Sequence, residues 1–392
     1  MIRIAPCLSV CLAFLLLSPL PSEAQSLLSS GGFGIPVEPF DARARGMGSV
    51  GIGLFGGYVL PTDPSAAAEL RLPTITASLQ PTSGTIDFNG VSGESSGSRF
   101  PLLGVGYPVG ERTVATLSFG SYLDQRWRAQ SESTIVLAGE NVSVTDAFTS
   151  DGGLSTIRIG AARRLTDQFA VGITGGVHTG ELTRSFVRTF QGLPEGEEIQ
   201  PFETTGSWQM QAPTVAVGAH WDFQEFFRLA GSVTWSGSLE ISDNRPDADE
   251  VRKLDLPVEY RLGASAILTS RVSMNAGVGY ADWTDAGAAL EEGESTGAVW
   301  NFGGGLEWEG PTLIGRSFPI RLGYHRGDLP FEFGGSAPSE SALSGGFAIN
   351  FSQVENIPLA RLDVAVERGT REAGALSESF WRSTFSLRLS GR

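Results

Sequence analysis

The chain has 392 residues, a net charge of −15, 18% charged residues and 51 glycines. That acidity argues against nucleic acid as a partner, and 41% hydrophobic residues with 23 phenylalanines and 8 tryptophans argue against disorder. A mean hydropathy of +0.01 argues against a helical membrane protein, whereas a wall with one greasy and one wet face averages to such a value.

The N-terminus reads as a signal peptide, residues 1–24. Arg3 supplies the positive start, Leu12 to Leu20 the apolar run, and Ser22-Glu23-Ala24 the small residues that place cleavage before Gln25. Cys7 and Cys11 fall in the removed segment, so the mature chain has no disulfide framework. A lipoprotein anchor at Cys11 is the weaker reading, because Leu8-Ser9-Val10-Cys11 precedes the apolar run instead of following it.

Residues 25–70 follow a different pattern, rich in Gly and Ala, with Pro36, Pro39, Pro61 and Pro64. Ser65 to Leu70 is expected to form a helical turn. Gly46 to Pro61 is uncharged but carries six glycines and is too short to cross hydrocarbon. A segment of this size ahead of a wide barrel needs somewhere to pack, and we expect a plug in the lumen.

From about Thr74 to the end the chain divides into fourteen short alternating segments. In Ala360 to Val366, Ala360, Leu362, Val364 and Val366 share one face, with Arg361, Asp363 and Ala365 on the other. Trp381, Phe385, Leu387 and Leu389 alternate in the same way with Arg382, Thr384, Ser386 and Arg388, and Ser341 to Ser352 repeats the pattern. Period alone does not separate a soluble sandwich from a barrel with lipid outside. Three features favour the barrel. The polar face is often small, as in Ala170, Gly172, Thr174 and Gly176. Aromatic residues gather near strand ends (Trp221, Phe226, Trp235, Tyr280, Trp283, Trp300, Trp308 and Trp381), as an interfacial girdle requires. The connections also alternate in length. Short turns are expected near 108–110, 165–167, 223–224, 269–270, 310–315 and 353–358, and long loops near 89–97, 129–150, 190–205, 244–256, 286–296, 328–340 and 370–378. Such an even set puts both chain ends on one side, and only closure removes the sheet edges that a bilayer cannot tolerate. The acidic residues, including Glu195, Glu197 and Glu198 and those from Asp243 to Glu250, concentrate in the long loops.

Motifs with chemical meaning are few. Gly51-Ile-Gly53-Leu-Phe-Gly56 is a literal Gly-x-Gly-x-x-Gly, but no amphipathic helix follows, and tight turns in a plug are the expected reading. His178, His220 and His325 are expected to face inward on strands five, six and eleven, without ligand spacing to one another. Asp243, Asp247, Asp249 and Glu250 lack the calcium-loop spacing. The three histidines lack the sequence context of a nucleophilic triad, and no catalytic residue, metal or cofactor is expected. Acids at the rim of an aspartate-type protease stay open as an alternative, although nothing selects particular ones.

Ala42-Arg-Ala-Arg-Gly-Met-Gly-Ser-Val-Gly-Ile-Gly, then Asp63-Pro-Ser-Ala-Ala-Ala-Glu-Leu70, resembles the start of the long-chain fatty acid transporter (FadL-like) family of outer membrane proteins. Asp63-Pro64-Ser65 stands where that family carries Asn-Pro-Ala. Gly323 to Phe331 and Ser379-Phe-Trp-Arg382 are similar to divergent members. The resemblance implies a fourteen-stranded barrel and passage of hydrophobic molecules past a movable plug. In some members a kink in the third strand opens a window toward the membrane. Gly120 falls inside the third strand expected here (Thr113 to Ala129), where glycine marks a bend.

The expectation is therefore an all-β protein, a 14-stranded antiparallel transmembrane β-barrel over residues 71–392 behind a plug at 25–70. It would take up hydrophobic small molecules such as long-chain fatty acids passively across a Gram-negative outer membrane, with both termini periplasmic. Its surroundings would be outer membrane lipid and lipopolysaccharide. Phe33, Phe40, Phe55 and Tyr58 are the candidates for touching substrate, with Asp63, Pro64 and Gly120 as gating candidates. The alternative is a non-transport barrel serving as a structural or secretion-associated, partner-binding protein.

Overall fold

The alternating segments pair edge to edge into a closed wall. The computed structural model describes residues 26–391 apart from 138, 192–198, 225, 245–250, 291–294, 314–315 and 355–356. The segment expected to be a signal peptide, with Cys7 and Cys11, and the acids Glu195, Glu197, Glu198, Asp247, Asp249 and Glu250, lie outside the described residues. Fourteen antiparallel strands form the ring. They are β1 (Thr74–Phe88), β2 (Val91–Pro108), β3 (Thr113–Asp124), β4 (Glu140–Arg164), β5 (Phe169–Gln191), β6 (Phe202–Phe223) and β7 (Phe227–Ser236). The second half comprises β8 (Glu259–Thr269), β9 (Val272–Asp282), β10 (Ala298–Trp308), β11 (Ile320–Asp328), β12 (Ser339–Val354), β13 (Ile357–Ala373) and β14 (Leu376–Ser390). Each strand pairs with its chain neighbours, and β1 closes on β14 from Thr74↔Ser390 to Phe88↔Leu376.

Burial settles which face meets lipid. Val366 is 40% exposed while its neighbour Glu367 is 0% exposed, the reverse of a soluble sandwich. Leu322, Leu343, Ile173 and Ile159 are likewise exposed, and Asp363, Arg321 and Arg382 are buried. All three histidines face inward, His178 at 0% and His220 at 3% exposure, with His325 bonded to Glu340. Tyr107, Trp221 and Trp308 ring the end with short turns, while Trp235, Tyr260, Tyr280, Trp300, Tyr324 and Trp381 ring the other. Trp283 departs from the expected girdle: it is 4% exposed and packs on Phe331 inside the lumen.

The short turns near 108–110, 165–167, 223–224 and 269–270 fall where expected, while the one at 310–315 is a longer connection with a small hairpin. Residues 314–315 and 355–356 lie outside the described residues. Two long loops do not exist as loops. Between β1 and β2 only Asn89 and Gly90 intervene, both left-handed at φ 52° and 80° as a tight hairpin turn requires, so 91–97 is strand. Residues 370–373 and 376–378 are likewise strand, joined at Gly374. Part of the expected loop 129–150 is the upper half of β4, and Trp127–Leu137 adds a further strand paired with it. The reason is physical. Beyond the lipid-facing belt no face has to be apolar, so a stretch such as Ser92-Gly-Glu-Ser-Ser-Gly-Ser98 loses its alternation while keeping its backbone ladder.

Residues 26–73 enter this ring and pack against its inner wall. A short helix α1 (Ala42–Gly46) starts at Asp41, whose carboxylate accepts the Ala44 N–H at 2.8 Å. The expected turn at 65–70 is a 3-10 helix over Pro64–Glu69. Gly51, Gly53 and Gly56 all have φ between 74° and 91°, which makes the literal nucleotide motif a set of left-handed turns.

Glycines on the wall make room for the plug. A side chain at Gly172 would strike Pro64, one at Gly263 would strike Ile52, and one at Gly277 would strike Val50. At Gly323 a Cβ would lie 2.5 Å from the Met47 carbonyl oxygen. From β12 to β8 the segment 46–53 thus runs across the strands with its backbone almost against the wall. Gly323→Val should therefore leave the ring intact but lift this segment, at about 1–3 kcal/mol of overpacking. Limited proteolysis with β-sheet melting checks this: a plug as resistant as in the parent protein would count against it.

Candidate functional site

Three layers close the lumen. The first is a ladder of buried ion pairs joining plug to wall. Arg43 of α1 donates to both oxygens of Glu307 at 2.8 and 2.5 Å, and Arg321 Nε donates to the same carboxylate at 2.6 Å. Arg321 continues to Asp363 at 2.7 Å, which also accepts from Arg361 at 2.8 and 2.9 Å. Higher up, Glu367 accepts from Arg382 at 2.8 Å and lies 4.0 Å from Arg45. Arg382, Arg371 and His325 converge on Glu340 at 2.8, 2.6 and 3.0 Å. Glu378 then accepts the Ser26 hydroxyl at 2.6 Å and the Leu27 N–H at 2.7 Å. Charges this deep are tolerated only when each finds its counter-charge.

At the short-turn end, Arg228 binds Glu69 of the plug and Asp222 of the wall, the latter at 2.6 Å. Burial pushes the Glu69 carboxyl up, but a hydrogen bond from His220 and the Arg228 guanidinium outweigh it and hold its pKa at about 2. Glu69, His220 and Asp222 bring three ligand atoms within 4.8 Å of one another. The Arg228 guanidinium already bridges the two carboxylates, so the charge that a metal would balance is met.

The second layer is an apolar cap toward the long-connection end, built from Leu123, Leu154, Leu182, Leu239, Leu254 and Trp283 with Phe331. Between cap and plug, two cavities of about 50 and 80 Å3 flank Glu38, sharing Pro36, Val299 and Asn301 in their linings.

The third layer is a repair in the wall. β2 and β3 pair only from Pro108↔Val114 up to Leu103↔Phe119. Beyond that level β2 keeps β1, β3 keeps β4, and the ladder between β2 and β3 is missing. The plug takes up the vacated edge: Ile35 and Pro36 pair with Asp124 and Leu123, and Val37 N–H donates to Tyr122 O at 2.7 Å. Side chains stitch the rest. Ser121 donates to Phe100 O at 3.3 Å, and Arg126 donates to Ser98 O at 3.1 Å while gripping Asp124 at 3.0 Å. The chain leaves the wall at Gln125–Arg126 and resumes as the strand Trp127–Leu137, so the third strand is shorter than Thr113 to Ala129.

The residues singled out from the sequence are distributed over these layers. Phe33 lies beside the cap, 6.1 Å from the Phe331 ring. Phe40 is buried at 3% exposure with Met47, Leu54 and Leu60, and Tyr58 packs against the same group. Guanidinium groups cover the plug rings: Arg45 over Phe40 at 5.0 Å, Arg228 over Phe55 at 5.1 Å and Arg43 over Tyr58 at 4.8 Å. The four rings do not line one pocket. Asp63 accepts the Gly53 N–H at 3.0 Å and the Ser65 hydroxyl at 2.7 Å, tying two plug turns together. Pro64 rests on Gly172 and Gly218. Gly120 lies just beyond the last β2–β3 pair, where a Cβ would stand 2.5 Å from Pro101 O and 3.1 Å from Pro39 Cβ. Sequence reasoning missed Arg43, Glu307, Arg321, Asp124 and Arg126. Their signal was present, since charges such as Arg361, Asp363 and Glu367 sit at the depth of the apolar belt, and Asp41-Ala-Arg-Ala-Arg45 supplies partners.

The same architecture occurs in solved barrels. A Pseudomonas aeruginosa FadL homologue shares 12% identity at a TM-score of 0.61, over 91% of this chain and 98% of that one. The CymD monoaromatic hydrocarbon channel shares 13% at 0.57, over 92% and 98%. The Pseudomonas putida toluene transporter TodX shares 12% at 0.56, over 93% and 99%. At such identities the likeness establishes the fold, and it agrees with the family resemblance of the plug sequence. No curated protein matches the chain in sequence. The BamG family model matches residues 1–248.

Proposed function

The chain belongs to the BamG family, and from that footing we propose that this plugged outer-membrane barrel is a passive conduit for hydrophobic small molecules, long-chain fatty acids among them. The observation that carries the proposal is the wall repair: Ile35–Pro36 of the plug stands in for β2 beside β3. A plug segment that completes the wall also opens it when it withdraws. An apolar solute then has a route sideways into lipid and never crosses the charged lumen. The solved barrels of like fold, described as monoaromatic hydrocarbon channels and a toluene transporter, support the substrate class. Phe33, Phe40, Phe55 and Tyr58 are the plug rings a substrate would meet once the plug shifts, and Asp63 and Pro64 fix the turn that shifts with it. Both ends of the ring lie together, with Gly391 N–H donating to Pro73 O at 2.8 Å on the short-turn side. We assign that side to the periplasm. No chemical step is required.

Liposome uptake of a labelled fatty acid tests the reading, with Gly120→Val as the probe. A side chain there presses on Pro101 and Pro39, so uptake should change at least several-fold; unchanged uptake sinks the assigned route. A second reading, a barrel that binds a protein partner, is favoured by the upper sheet. Phe148, Phe186 and Phe202 form an aromatic row with ring separations of 4.8 and 6.1 Å, beyond the lipid-facing belt. Co-purification of a defined protein with no uptake would favour that reading.

A further inference from the structure

Register places one pocket at the upper border of the apolar belt. Across the wall, Tyr324, Leu343, Arg368, Trp381, Ser83 and Ser96 are successive cross-strand partners. Two residues lower on the same outward face come Leu322, Val366 and Ser383, then Val364 and Phe385. Two residues higher come Thr370, Ser379, Thr85 and Glu94. The surface therefore passes from hydrocarbon-compatible to hydroxyl-rich at Arg368.

A cavity of about 440 Å3 opens there, lined by Arg368, Trp381, Ser83, Thr85, Ser379 and Glu94 among others. Arg368 lies over the Trp381 ring at 5.4 Å, and Trp381 is 53% exposed. No carboxylate pairs with Arg368 among the described residues. This contrasts with buried arginines such as Arg43, Arg321 and Arg382, which are tied into ion pairs with the acids of the lumen. An outward arginine at the interface, beside an indole and a set of hydroxyls, is chemistry suited to a phosphorylated sugar. The guanidinium takes the phosphate, the indole takes the sugar face, and the hydroxyls with Glu94 meet sugar hydroxyls. The apolar rows below offer a bed for attached acyl chains.

We propose that this pocket binds the phosphorylated sugar headgroup of a glycolipid in the outer leaflet. The site is independent of transport, but its leaflet rests on the topology assigned above. Purified barrel in detergent should retain a bisphosphorylated diacyl glucosamine glycolipid in native mass spectrometry, and Arg368→Gln should reduce that retention at least tenfold. Arg112→Gln, at the opposite end and exposed, should not. The dephosphorylated glycolipid should bind poorly to both parent and variant. Equal retention by Arg368→Gln overturns the site, and retention of soluble glucosamine phosphate in preference to the lipid overturns the lipid assignment. Val91→Cys, 75% exposed on the long-strand end, reports topology through an impermeant maleimide on intact cells. Labelling with unchanged retention in Arg368→Gln refutes the site alone; absence of labelling refutes the outer-leaflet assignment.

Discussion

Replacing Glu307 with alanine should destabilise the seated plug by about 3–5 kcal/mol, the range for breaking a buried ion pair from one side. Glu307 is 6% exposed and is the common acceptor for Arg43 of the plug and Arg321 of the wall. Its removal leaves the Arg43 guanidinium with the Phe55 carbonyl at 2.7 Å as its polar partner among the described residues. Arg321 keeps Asp363, so the ring itself should survive while α1 loosens. The expected result is a lower melting temperature, a protease-sensitive segment around Ala42–Gly46 and a rise in planar-bilayer conductance. Glu307→Gln, which keeps an acceptor but loses the charge, should fall between the two. Parental stability and conductance in Glu307→Ala would show that the ladder does not hold the plug.

A disulfide across the wall repair should stop uptake. Pro36 and Leu123 are direct cross-strand partners, and such partners lie about 4.5–5.5 Å apart at Cα, within the span a disulfide bridges. The chain's own cysteines are Cys7 and Cys11, both before the plug. Pro36→Cys with Leu123→Cys, oxidised, should reduce liposome uptake of a labelled fatty acid to the level of empty vesicles, and a reductant should restore it. Each single cysteine variant should respond to neither treatment. Full uptake by the oxidised pair would mean that the plug strand need not leave β3, and the sideways route would fall.

The ring was legible in the sequence because lipid imposes period two on every strand it touches. Leu362, Val364 and Val366 against Arg361, Asp363 and Glu367 show it plainly. What the sequence hid lay where that constraint stops. Ser92 to Ser98 carries small or polar residues on both faces, so it looks like a loop while pairing as strand with β1. The break after Asp124 is hidden for a different reason: no glycine or proline marks Gln125–Arg126, and the edge is vacated by β2, which nothing local to β3 reveals. Among the site residues, Gly120 was found because glycine inside a strand is visible. Arg126 and Asp124 were passed over because their partners, Ser98 and Ile35, are remote in sequence. The plug aromatics were conspicuous, but the arginines that cover them come from near and far in the chain: Arg43 and Arg45 beside them, Arg228, Arg261 and Arg388 far away.

Two of the plug's attachments fall on a single strand. Ser26 is held by Glu378 and the Ala42 N–H by the Ser386 hydroxyl, both on β14. These contacts join early residues of the described chain to the last strand, a loop closure spanning almost the whole chain. β14 is also the strand that shuts the ring against β1. The last strand therefore serves both the closure of the ring and the seating of the plug.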